Sequence, residues 1–272
     1  MRFRNLWFGA LLIIIVSSCT TEIKIARTLN RDKSAISVLC DFPDYIILTN
    51  SMVEVPKDLS GKELTAFYDT LFVHSEYVQY VNDTLLLRDF QENMKIQMLR
   101  VGVKYYESDN IDGFLSSKGT QYIINFKQLE MEERWEAFHD EEHIGDMLYE
   151  EDFWIKGVSL NAWMDIAKVN DTVEIQRQLY YESIIKDDVD GMFFQNQWNG
   201  DVHYQYRLDS LKLSDIDDLQ YQAADEFTYF ILDYIFNKEI RDRLNYAEGL
   251  EPINSWNLSP TSRRLIPGDK KD

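Results

Sequence analysis

A long apolar stripe near the carboxyl end limits what this chain can fold into. Ile216, Leu219, Ala223, Phe227, Phe230, Ile231 and Tyr234 recur at three- and four-residue steps, the spacing that gathers side chains on one helical face. A face that broad must lie against a second layer. Ser214 with Asp217 approximates a capping box at the start of this helix. The whole 272-residue sequence, 45% hydrophobic, is long enough for one large or two small domains with a proper core, so wholesale disorder is excluded.

Strand patterns supply the second layer. Ala35-Ile36-Ser37-Val38-Leu39-Cys40 reads as a buried strand, and Tyr45-Ile46-Ile47-Leu48-Thr49 continues it beyond Pro43. Cys40, at the end of the first run, reads as a small buried hydrophobe. Residues 50–82 are ambiguous. From Asp83 onward, Leu86, Phe90, Met94 and Met98 mark one helical face, with Asp83 and Thr84 to cap its start and Gly102 to end it. Val103-Lys104-Tyr105-Tyr106 is a short strand. Ile111 to Leu115 opens a short helix closed by Gly119, and Thr120 to Phe126 is the strongest central strand.

An acidic stretch follows, and then two long strands. Phe153 to Trp163 pairs with Thr172 to Tyr181 across the turn Val169-Asn170-Asp171, a hairpin signal. Residues 186–201 read as loop. The expected fold is α+β or α/β: a mixed sheet with packed helices, including the long C-terminal one, and a β-hairpin. The expected organisation is residues 1–18 as a targeting segment, 19–34 as a polar tether, 35–248 as a single α/β domain, and 249–272 as a flexible tail with Pro252, Pro260 and Pro267.

The amino terminus is a targeting segment. Arg2 and Arg4 precede an apolar run from Leu6 to Val16, too short to span a bilayer. Val16-Ser17-Ser18-Cys19 resembles the lipobox of bacterial lipoproteins, which implies removal of residues 1–18 and palmitate-type acylation of Cys19 as lipid attachment point. Cys19-Thr20-Thr21-Glu22 has no Asp at the second mature position and no acidic run. Within that class this implies an outer-membrane lipoprotein facing the periplasm. An acylated Cys19 is also no disulfide partner for Cys40, and no Cys/His metal spacing exists. Asp69-Thr70-Leu71, Asp83-Thr84-Leu85, Asp171-Thr172-Val173 and Asp209-Ser210-Leu211 resemble the O-glycosylation acceptor of exported Bacteroidota proteins, with Thr70, Thr84, Thr172 and Ser210 as acceptors; Asp-Thr pairs are equally at home in turns and caps.

Charge narrows the partners. The net charge is −19, and loss of Arg2 and Arg4 takes it to −21. Such a chain repels phosphate backbones, so nucleic acid is excluded as partner, and anionic lipid surfaces are disfavoured.

The motifs that carry chemistry are few. In Phe138-His139-Asp140-Glu141-Glu142-His143, the two histidines would face one metal ion if the segment were helical. The place of the catalytic glutamate holds Asp140, and the alternative is a solvated acidic loop. Asp187-Asp188-Val189-Asp190-Gly191 has Lys186 and Gln197 where a calcium loop needs ligands. His74 and His203 stand alone. Trp135, Trp154, Trp163 and Trp198 offer packing or a groove for glycan or peptide, with Trp198 in its Asn/Gly-rich stretch the best ligand-binding residue. No nucleophile elbow, phosphate loop or dinucleotide fingerprint occurs.

The order of elements, with Gly119, Tyr122, Ile123 and Ile124 after the short helix, resembles the periplasmic domain shared by the TolB amino-terminal domain, the curli-secretion lipoprotein and lipoprotein activators of peptidoglycan synthases. That resemblance implies assembly in the envelope. The expectation is therefore a non-enzymatic, membrane-anchored lipoprotein with an envelope protein as partner and no cofactor. The alternatives are a metal-dependent hydrolase using His139 and His143, and a glycan-binding accessory lipoprotein.

Overall fold

The mostly apolar run at residues 36–41 forms an inner strand of the sheet. A computed structural model describes residues 21–71, 75–170, 177–248 and 252–268, and in it β1 (Ile36–Asp41) is flanked by two parallel neighbours, β3 (Lys104–Glu107) and β4 (Thr120–Ile144). A strand covered on both faces reads as a continuous apolar run rather than an alternating one. β2 (Ile47–Asn50) is parallel to β4 further along, β5 (Met147–Lys168) runs antiparallel beside β4, and β6 (Arg177–Lys186) closes the order β3-β1-β4-β5-β6. The result is a mixed sheet with packed helices, a long C-terminal helix and a separate hairpin, β7 (Asp188–Gln195) with β8 (Val202–Asp209).

Helices α3 (Asp83–Val101) and α5 (Leu213–Glu248) cover one face of the sheet. The aromatic rings of Phe90, Phe126 and Phe227 meet edge to face, and Phe42, just beyond β1, stacks on Phe126 at 4.5 Å. Cys40 is buried with its thiol free, and burial pushes that thiol's pKa up. The cap of α3 is Asn82, one residue before the expected pair, its side chain accepting from Leu85 N at 3.0 Å. Gly102, at φ 98°, ends the helix as expected. In α5 the expected Ser214/Asp217 box is displaced: Asp215 reaches back to Lys212 N at 2.8 Å, and Ser214 sits inside the first turn. Gly119, at φ 108°, sits so close to Ala35 O that no Cβ fits. A short helix, α4 (Ile111–Leu115), precedes it.

Both chain ends differ from expectation. Residues 21–31 form a helix, α1, with Ala26 and Leu29 buried, where a solvated tether is expected. The supposed tail carries a small antiparallel pair, β9 (Trp256–Leu258) and β10 (Leu265–Pro267), with Trp256, Leu258 and Leu265 buried. Polar side chains make this docking. Glu22 is buried and accepts from Ile253 N, Asn254 N and Trp256 Nε1 at 3.1, 3.1 and 2.6 Å. Asn30 takes both backbone groups of Leu265, and Asn237 both of Trp256, as a neighbouring strand would. Prolines and polar residues conceal such contacts in a sequence.

Asp233 belongs to the same latch, accepting from Leu258 N, and burial raises its pKa to about 6. The unfolded carboxyl titrates near ~3.9. Between these values the folded chain holds a proton that the unfolded chain has released. Asp233 therefore costs stability progressively as pH rises through that window and no further above it. In urea unfolding from roughly pH 4 to pH 7, Asp233→Asn should gain on the wild type with rising pH and level off above about pH 6. A constant difference across the range contradicts this assignment.

Candidate functional site

Beyond Glu133, β4 leaves the body. Arg134–Ile144 pairs only with Met147–Gly157 of β5, an arm of roughly 35 Å at ~3.4 Å per residue. β6 stops pairing at Gly157, and the chain turns away at Asp187 into β7 and β8. This second hairpin lies against the first through rings: Phe153 meets Tyr206 at 4.9 Å and Tyr149 meets Phe193 at 6.3 Å, while Phe138 packs on Phe153 at 4.7 Å within the first hairpin. The Tyr204 hydroxyl donates to Asp140 at 2.8 Å, and burial with that bond pushes its pKa up to about 12. Gly191 leaves the space that the Tyr204 ring fills. Residues 186–201, expected as loop, are thus mostly strand; burial alternates through Val189, Gly191 and Phe193, but the residue types hide it, with Asp188, Asp190 and Gly191 at one end and apolar Met192 and Phe194 at the other.

Two buried carboxylates make the neck of the arm. Glu133 is fully buried and accepts from Ser75 Oγ, Glu76 N, Tyr77 N and Val78 N at 2.8, 2.9, 3.0 and 3.3 Å. Asp187 accepts from Lys156 N at 3.0 Å and Leu211 N at 2.9 Å. An ion pair joins Lys156 to Glu76 across the outside.

The arm collects several residues that the sequence singles out. His139 and His143 both stand on β4, in an extended strand. Four strand residues span ~13 Å, where one helical turn would place them side by side. The two imidazoles therefore cannot share one ion in this geometry, which corrects the paired-ligand expectation. His139 instead bonds Asp152 across the hairpin at 2.8 Å, and that bond, with Glu141 nearby, raises its pKa. No group of three or more His, Cys, Asp and Glu side chains suited to a metal occurs among the described residues.

Trp198, in the β7–β8 turn, is 97% exposed. Trp154 is 67% exposed and shares one face of the first hairpin with Trp135, also exposed. Met147, Leu148, Met192 and Phe194 add exposed apolar surface. Between Arg134 and Lys156 there is no lysine or arginine, while Asp140, Glu141, Glu142, Asp146, Glu150, Glu151 and Asp152 all fall there. The first hairpin is therefore aromatic and acidic, and on the second Arg207 pairs with Asp190.

Trp163 lies apart, on the open face of the sheet against Tyr180 at 5.0 Å. Near it Arg134 pairs with Glu132, Glu136 and Glu182, a self-contained network that the sequence gives no means to foresee. Thr84 and Ser210 are exposed; Thr70 falls in α2 (Gly61–Leu71), its side chain outside the described set. Cys19, His74 and Thr172 lie outside the described residues. His203 is exposed on β8.

Comparison with protein-family models finds no match, and comparison with curated proteins finds none. The arm's geometry is therefore the ground for a functional reading.

Removing the carboxylate of Glu133 leaves four donors without their acceptor in a buried neck. Glu133→Ala should cost about 3–5 kcal/mol in urea unfolding, and amide exchange at Glu76, Tyr77 and Val78 should lose its protection first. A loss under about 1 kcal/mol would show that the neck does not depend on Glu133.

Proposed function

We propose that the chain is a membrane-anchored envelope lipoprotein that binds a partner protein through its arm and performs no reaction of its own. One observation carries this reading: the exposed tryptophans and apolar side chains concentrate on a projecting two-hairpin arm. Exposed apolar surface set in charge is the character of a recognition surface, and buried tryptophan and tyrosine dominate the energy of such contacts. The acid excess favours a partner of opposite sign and slows approach to anionic lipid. The resemblance of the element order to envelope-assembly domains points the same way.

Anchoring at Cys19 would hold the body close to lipid. Helical structure begins by residue 21, and two residues reach at most ~7 Å. The described helices include none long and apolar enough to cross a membrane, so in this reading the acyl chains do the holding, at ~0.8 kcal/mol per buried methylene. An outer-membrane, periplasm-facing position fits the residues after Cys19.

A second reading has a specific feature in its favour. Trp135 and Trp154 share one hairpin face, and a pair of exposed rings suits stacking on a sugar. Titration with soluble cell-wall glycan fragments separates the two: saturable quenching of tryptophan fluorescence supports glycan, and none supports protein.

Two outcomes are expected. Fatty acid label supplied to the native host should enter the wild type and be lost in Cys19→Ala; an unlabelled wild type contradicts the anchoring. Capture from native membranes should bring down a stoichiometric protein with the wild type, and at least tenfold less with Trp154→Ala/Trp198→Ala, about 1.4 kcal/mol. Identical recovery with both removes the arm from the interaction.

A further inference from the structure

β5 loses its outer neighbour where the arm begins. β6 pairs with it as far as Gly157, and Lys156 then meets Asp187 in place of a strand. Lys156 N donates to the Asp187 carboxylate at 3.0 Å, and Asp187 N donates to Lys156 O at 2.9 Å. These two bonds are the last rung on that side. An antiparallel strand aims the backbone groups of alternate residues to one side. Trp154, Asp152, Glu150 and Leu148 therefore present their N–H and C=O groups outward along the same edge, while the residues between them bond to β4.

Among the described residues no group bonds to these outward backbone groups. β7 and β8 form a sheet of their own and touch the hairpin's other face, through Tyr149 and Phe153. The side chains of Trp154, Asp152, Glu150 and Leu148 are all exposed. An open edge of this kind is a template for one more strand.

Charge decides which strand. Two carboxylates, Asp152 and Glu150, stand in the middle of the edge, with Trp154 and Leu148 at its ends, and Glu141 faces Glu150 across the hairpin. His139 takes only Oδ1 of Asp152. A second copy of this chain fits badly, because two such edges side by side set acid against acid. A neutral strand leaves the carboxylates unanswered. A strand with lysine or arginine opposite Asp152 and Glu150, and aliphatic residues opposite Trp154 and Leu148, answers each position with a favourable cross-strand pair. We propose that the arm holds its partner by strand addition: the outer edge of β5 from Leu148 to Trp154 receives an extended segment of the partner with two basic residues between apolar ones. This rests on the arm reading and gives it a mode of contact.

The test uses the full chain in detergent and the peptide acetyl-Val-Thr-Lys-Thr-Arg-Thr-Val-amide. A second peptide has glutamate for lysine and arginine. Two more carry backbone N-methyl groups, one on lysine and arginine, the other on the threonines. The basic peptide should slow amide exchange at Leu148, Glu150, Asp152 and Trp154, and bind at least about tenfold more tightly than the glutamate peptide. Only alternate residues of an added strand bond to the edge. One N-methyl peptide should therefore bind about tenfold more weakly than the basic peptide and the other should match it. Equal affinity of the two N-methyl peptides, unchanged exchange at those four amides, or equal binding of the glutamate peptide would overturn strand addition. Each of these results leaves the arm reading standing, since capture with Trp154→Ala/Trp198→Ala decides that reading separately.

Discussion

The arm depends on buried carboxylates at its neck, Glu133 first among them. Glu133 sits where β4 passes from a core strand to one edge of a projecting hairpin. An isolated charge at such depth would be costly, but four donors from residues 75–78 converge on it, and hydrogen bonding to the charged form offsets desolvation. The same four bonds order the segment leading into α3. Asp187 repeats the device on the second hairpin, joining Lys156 to Leu211. The two long hairpins thus leave the body at fixed points, so the arm projects as an extension of the sheet.

The same chemistry recurs at the chain ends. Glu22, Asn30, Asp233 and Asn237 accept from or bridge backbone groups of residues 253–265. A chain of net charge −19 would seem to waste its acids on solvent. Several instead serve as buried acceptors for loops that have no strand partner, which follows from the rule that buried backbone donors must be matched.

The core was legible in the sequence because its signals are periodic. Leu86, Phe90, Met94 and Met98 mark α3, and Ile216 through Tyr234 mark α5, at helical spacing; Ile36, Val38, Leu39 and Cys40 mark β1 as an apolar run interrupted only by Ser37. The docked ends were not legible, since side-chain-to-backbone bonds leave no period, and prolines at 252, 260 and 267 suggest looseness. The arm was half legible. Its histidines, acids and Trp198 drew attention, but residues i and i+4, on one face in either case, lie ~6 Å apart along a helix and ~13 Å apart along a strand. The β7–β8 hairpin escaped because Asp188, Asp190 and Gly191 are poor strand formers, held in place here by packing of Phe193, Tyr204 and Tyr206 on the first hairpin.

The proposal is of an aromatic, acidic arm on a body anchored through Cys19, a protein placed at a membrane to meet neighbours. The most direct test of that account is site-specific photo-crosslinking in the native host. A photoreactive residue replaces Trp154 on the arm in one strain, and exposed Lys62 in α2, on the body, in another. The account predicts one discrete crosslinked partner band from position 154, absent from position 62. Equal bands from both positions, or none from the arm, would contradict it.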